Sequence, residues 1–96
     1  MSTPTPHTSD VELEQILAAA AVAAPLWAAT PPTQRATALI AVADALDAAA
    51  GELIPVGMRE TGLAQARLTG ELKRTTVQIR LFADVIRDGS YLDVRL

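Results

Sequence analysis

A chain of 96 residues has room for one small domain at most, and although half of it is apolar, 19 of its residues are alanine, which leaves material for only a thin core. The net charge is −3, with acids and bases spread along the chain, so no basic stripe marks a nucleic-acid partner, and Trp27, Phe82 and Tyr91 are too few aromatics to stack bases. The absence of cysteine excludes disulfides, thiolate metal sites and a cysteine nucleophile within these residues, and it is compatible with a reducing, cytoplasmic setting.

Met1 to Thr8 reads as a flexible Ser/Thr/Pro tail, residues 1–8, ahead of a helical segment over 9–96. The lone His7 falls in that tail, without the further ligands a metal site needs. Ser9 and Glu12 have the spacing of a capping box, so the first helix is expected to start at Ser9. Val11, Ile16, Leu17, Ala20, Ala24 and Trp27 recur along it near helical spacing, and Pro25 predicts a kink. The apolar run Ile16 to Ala29 is too short to span a bilayer, and the charges ahead of it are acidic, against a signal peptide.

Thr30 followed by Pro31 predicts the N-cap and first residue of a second helix, with Leu39, Val42, Ala43, Leu46 and Ala50 on its apolar side and Thr37 and Asp44 opposite. Gly51 is expected to end or bend it. Pro55 then fits the first turn of a short third helix that stops at Gly62. A fourth helix is predicted from Leu63 or Thr69 to Asp88, with Gly89-Ser90 ending it, and Tyr91 to Leu96 reads as the beginning of a strand.

The fourth helix carries two apolar stripes. One is Leu68, Leu72, Ile79, Phe82, Ala83 and Ile86; the other, nearly opposite, is Val77, Leu81 and Val85, with Lys73, Arg80, Asp84 and Arg87 in a narrow polar strip between them. A surface helix of a small bundle needs one apolar face. Two faces imply a second packing partner, as does a strand without its sheet.

The stretch AAAAVAAPLWAATPPTQRATALIAVADAL resembles the first two helices of aldehyde dehydrogenases, with Trp27, Arg35 and the stripe Leu39, Ala43, Leu46 carrying the match. RETGLAQARLTGEL is more specific, since Glu60-Thr61-Gly62 is the family's usual end to the short third helix. Gly70-Glu71, Arg74-Thr75-Thr76 and RLFADVIRDGSYLD are similar to the NADP-dependent branch that includes the α-ketoglutaric semialdehyde dehydrogenases. The resemblance spans Leu17 to Asp93. It implies an all-α chain taken alone, with four helices and a strand-like tail, that forms the leading helical part of an α/β cofactor-binding domain.

The family's chemistry needs a cysteine thiolate, a glutamate base and a dinucleotide cradle. None is present in these residues, so the resemblance implies an N-terminal segment cut off before the catalytic residues, scaffolding in role and inactive alone. NADP belongs to the intact family and not to this chain. Glu60, beside the helix-ending Gly62, is expected to cap or pair, Trp27 to be core, and Thr75-Thr76 to be helix surface or packing. Gly70, Arg74 and Gln78 are spaced by four along one side of helix four. In intact family members the matching helix looks toward the substrate entrance, where a guanidinium could attract an aldehyde that carries a carboxylate. The bland reading of Arg74 is an exposed helix arginine.

The expected partner is the remainder of a dehydrogenase fold or a second copy, with no nucleic acid, membrane or metal. The competing reading is a small helical interaction module that forms a homodimer or binds a full-length homologue, motivated by the two-faced fourth helix.

Overall fold

The Ser9 hydroxyl accepts from the Glu12 amide at 3.1 Å, and the Glu12 carboxylate accepts from the Ser9 amide at 3.2 Å. This reciprocal pair satisfies two amides that a helix start leaves open, as the spacing predicts. It also holds the Glu12 carboxyl below its ordinary range, chiefly through the side-chain bond to Ser9. From it runs α1, Asp10–Ala29, in the computed structural model, which describes residues 6–89. Residues 1–5 of the expected tail, Ser90, and the strand-like Tyr91 to Leu96 lie outside the described residues. Two compact units divide the chain, Met1–Thr30 and Pro31–Leu96.

Taken by itself, α1 buries none of its residues. Eight of its 20 residues are alanine, set among large apolar side chains that are exposed all round, so it presents no single stripe. Trp27 is 45% exposed, which corrects the expectation that it is core. Pro25 lies inside α1, and the helix continues past it to Ala29.

Thr30 does not cap the second helix. It closes the first: its amide donates to the Trp27 carbonyl at 3.1 Å and its hydroxyl to the Leu26 carbonyl at 2.8 Å. The following Pro31 pushes Thr30 out of the helical region, to φ −65° and ψ 132°. The start of α2, Pro32–Ala48, therefore shifts by one residue, with Pro31 at the cap and Pro32 in the first position, where the missing amide has no cost.

The chain turns at Ala49, φ −87° and ψ 3°, and α3 runs Ala50–Thr61. Gly51 thus lies in the first turn of α3, which Ala50 begins, instead of ending α2, and Pro55 sits inside α3, beyond its first turn. With no amide of its own, Pro55 leaves the Gly51 carbonyl without that helical bond. Gly62 closes α3 at φ 73°, its amide bonded to the Met58 carbonyl at 2.9 Å. The Thr61 hydroxyl supports this end, donating to the Gly57 carbonyl at 2.6 Å and accepting from the Leu63 amide at 3.2 Å. Gly62→Ala would force a Cβ into the left-handed region and is expected to destabilise the unit by about 1 kcal/mol. Urea unfolding followed by circular dichroism checks this, and an unchanged midpoint would contradict it.

After Gly62–Ala64, α4 runs Gln65–Asp88 and stops at Gly89, φ 69°, as the sequence predicts. The second unit is a hairpin whose first arm, α2 then α3, lies against α4. Gly57 meets Leu68, while farther back Asp47 faces Thr76 and Asp44 reaches Arg80. As one number falls the other rises, so the arms run antiparallel. The approach at Gly57 is close: a Cβ there would lie 3.1 Å from Leu68 Cδ1.

The fully buried residues are Ala36 and Ala43 on α2 and Thr76 and Ala83 on α4. Within each helix the two are seven residues apart, the repeat that keeps one seam facing a partner helix. Small side chains let the helices approach, and Leu39, Leu46, Leu72, Ile79 and Ile86 flank the seam half-buried. Ala36 joins the expected stripe of α2, whereas Val42 leaves it, being 50% exposed. Phe82 likewise leaves the first stripe of α4. It projects beside Leu81, away from the neighbouring Ala83. The described residues hold four helices and no strand, the expected all-α arrangement.

Candidate functional site

The outward face of α4 carries every residue singled out for substrate contact. Gly70, Arg74 and Gln78 are exposed along one side of the helix, separated by four residues each, so they span about 12 Å. Gly70 has open space around it. The Arg74 side chain is 71% exposed and pairs with Glu71 at 3.2 Å, and Glu71 also takes Arg67 at 3.3 Å. Exposed pairs of this kind contribute little to stability and leave the guanidinium free to exchange partners. Gln78 sits one turn farther on, lining a shallow open hollow of about 260 Å³ with Leu81, Phe82 and Val85. The three residues therefore share a face, but its C-terminal half is apolar.

A second open hollow, of about 330 Å³, lies between α3 and the start of α4, lined by Ala50, Gly51, Ile54, Pro55, Met58 and Gln65. No ionisable group lines either hollow. Among the described residues no group of three or more His, Cys, Asp or Glu side chains is placed to hold a metal. His7 is exposed. Glu60 is exposed as well and neither caps nor pairs, since Thr61 takes the local hydrogen bonds.

The strongest polar arrangement lies elsewhere. Arg80 donates to Asp47 at 2.7 Å and to Asp44 at 2.9 Å, joining α4 to α2. The Arg80 bond, then one from the Thr76 hydroxyl, lowers the Asp47 carboxyl below its ordinary range. Bonds to Asp44 and Asp47 raise Arg80 in turn. The Thr76 hydroxyl donates to the Lys73 carbonyl at 3.3 Å. Thr76 is the packing residue of the Thr75-Thr76 pair, while the Thr75 hydroxyl donates to the Glu71 carbonyl at 2.9 Å. Periodicity alone sets Asp44 opposite the apolar side of α2 and Arg80 in the narrow polar strip of α4. Asp44 and Asp47, one turn apart, carried the missed signal: both can reach one cation across the seam.

By length and composition α1 is long and apolar enough to cross a membrane, with mean hydropathy 1.3. The helix is longer than the run Ile16–Ala29 because it begins at Asp10. Its apolar character is largely that of alanine, and Asp10, Glu12 and Glu14 occupy its beginning.

The aldehyde dehydrogenase family model matches residues 2–94. The chain belongs to the aldehyde dehydrogenase family. Its four helices are consistent with the N-terminal helical part of an aldehyde dehydrogenase domain. Among curated aldehyde dehydrogenases and their relatives, the chain is 48% identical over 66 residues to α-ketoglutaric semialdehyde dehydrogenase 2 of Azospirillum brasilense, covering 69% of this chain and 13% of that protein. It is 36% identical over 85 residues to α-ketoglutaric semialdehyde dehydrogenase of Acinetobacter baylyi, covering 88% of this chain and 16% of that one. It is also 32% identical over 77 residues to the bifunctional protein PutA of Escherichia coli, covering 80% of this chain and 6% of PutA. The chain therefore spans less than one sixth of the length of these relatives. No solved structure matches it.

Proposed function

We propose that this chain serves as the N-terminal helical segment of an NADP-dependent aldehyde dehydrogenase of the α-ketoglutaric semialdehyde type. Its role is to scaffold, and it performs no catalysis itself. The family match over residues 2–94 in a sequence without cysteine carries this reading. Oxidation of the aldehyde to the acid is then the work of the larger fold, in the cytoplasm.

The residues described do not fit a dinucleotide. Both positive-φ glycines, Gly62 and Gly89, close the C-terminal ends of helices, where carbonyls accumulate and a phosphate is repelled. A phosphate cradle instead presents amides at a helix start. NADP would be held by the rest of the fold.

The test is to replace the matching segment of the A. brasilense enzyme with this chain. Retained NADP-dependent oxidation of α-ketoglutaric semialdehyde supports the reading, and loss of soluble, active enzyme refutes it. The purified 96-residue chain should show no rate above buffer with the same substrates.

Within this reading Arg74 helps to bind a carboxylated aldehyde, with Gly70 and Gln78 beside it at the substrate entrance. The support is its exposure on the face that carries all three residues, and the α-ketoglutaric semialdehyde substrate that two relatives are named for. In the spliced enzyme Arg74→Leu is expected to raise KM for the acidic aldehyde by about tenfold, the worth of a lost charge-assisted contact, and to leave KM for a neutral aldehyde unchanged. Equal KM values for both aldehydes before and after the substitution would end this assignment.

A further inference from the structure

We infer that the C-terminal half of α4, through Leu81, Phe82 and Val85, is the surface that seats against the rest of the dehydrogenase fold, leaving Gly70, Arg74 and Gln78 along its rim. This inference rests on the reading of the chain as a dehydrogenase segment and adds where it docks.

The opposite side of α4 is already used, because Thr76 and Ala83 are sealed in the seam of the hairpin. The outward patch is therefore not spare core of the same unit. Leu81 is 56% exposed, Phe82 64% and Val85 49%, and they line one hollow with Gln78, whose amide can both donate and accept at an interface. No charge lines that hollow.

Area decides between the two candidate occupants. Leu81, Phe82 and Val85 are already about half covered, so the side chains lining the hollow have on the order of 100 Å² each left to cover, roughly 400 Å² together. Each partner in a stable complex of separate chains contributes about 800 Å². The patch alone is too small to hold a second copy. It is large enough when the two surfaces belong to one polypeptide, because a covalent link replaces the cost of bringing them together. The relatives have that arrangement: the matching segment is 13% of one polypeptide and 16% of another. The occupant is accordingly the larger part of the same dehydrogenase fold.

The face is also graded along its length. Arg74 precedes Leu81, the first apolar residue of the patch, by seven residues, about 10 Å of helix. A surface that covers the apolar half therefore stops before it reaches the 71% exposed Arg74 side chain, which stays open to solvent and to small molecules.

The experiment compares each substitution in two settings, the isolated 96-residue chain and the A. brasilense enzyme carrying this chain in place of its matching segment. Leu81→Asp and Phe82→Asp are expected to lower the melting midpoint of the spliced enzyme by roughly 5 °C or more, because each puts a carboxylate into a covered apolar contact. In the isolated chain, where both sites face water, the midpoint should stay within about 1 °C. Equal shifts in the two settings would overturn the inference. So would an isolated chain that sediments as a dimer and is dissociated by Phe82→Asp, because the covering surface would then be a second copy. An unsubstituted spliced enzyme that cannot oxidise α-ketoglutaric semialdehyde would overturn the underlying reading, and this inference with it.

Discussion

Ala83→Leu is expected to unfold much of the second unit at temperatures where the parent chain is folded, whereas Phe82→Ala, one residue away, should leave it nearly unchanged. Ala83 is fully buried in the seam between α4 and α2, and that seam is built from small residues only: Ala36, Ala43, Thr76 and Ala83. Three added carbons have nowhere to go unless the helices separate. Overpacking of this kind costs about 1–3 kcal/mol, against a total on the order of 5 kcal/mol for a domain of this size. Phe82 is 64% exposed, so its removal uncovers little. Thermal unfolding of both variants, followed by helical circular dichroism, gives the comparison. Similar midpoints for the two would mean that the seam does not lie where the heptad spacing puts it.

Arg80→Met is expected to lower stability at neutral pH, and the loss should shrink in acid. Arg80 holds Asp47 at 2.7 Å and Asp44 at 2.9 Å, and removing the cation leaves two carboxylates facing each other on α2. Asp47 is the group whose pKa is lowered by folding, first by the bond from Arg80 and then by Thr76. A lowered carboxyl pKa contributes stability that is fully present above the unfolded value, about 3.9, and that disappears as pH falls through the folded value. Urea midpoints of parent and variant should therefore differ at pH 7 and at pH 5 and converge below about pH 4. A difference that persists unchanged at pH 3 would show that Arg80 acts through its packing and not through the carboxylates.

Local signals in the sequence placed the helix ends that have their own chemistry. The Ser9 and Glu12 capping box, Gly62 and Gly89 all act where the spacing puts them. The proline-containing boundaries were less legible, because each proline permits more than one position. Pro31 and Pro32 are adjacent, and only the conformation of Thr30 decides which one begins α2. Pro55 could equally open a helix or lie within one, and the turn at Ala49 carries no glycine or proline to announce it.

Periodicity identified two faces on α4 but put Phe82 on the same stripe as Ala83, whereas Phe82 is exposed and Ala83 is buried. The packing against α2 settles that, and it depends on contacts far apart in sequence. The site residues Gly70, Arg74 and Gln78 fall on one exposed side, as spacing by four requires. The chemistry proposed for them comes only from the family resemblance, because a lone exposed arginine without the opposing surface has no local signature.

A seam of small side chains repeated every seven residues has one weakness. If α2 slid along α4 by one repeat, roughly 10 Å, one of the two small residues on each helix would still meet a small residue of the other, so the small side chains by themselves tolerate the shift. The seam therefore does not define its own alignment. Arg80 does, because only one setting puts its guanidinium within reach of both Asp44 and Asp47. The pair of ionic contacts works as a key for register, a role in which a polar group selects one arrangement among several of similar packing energy.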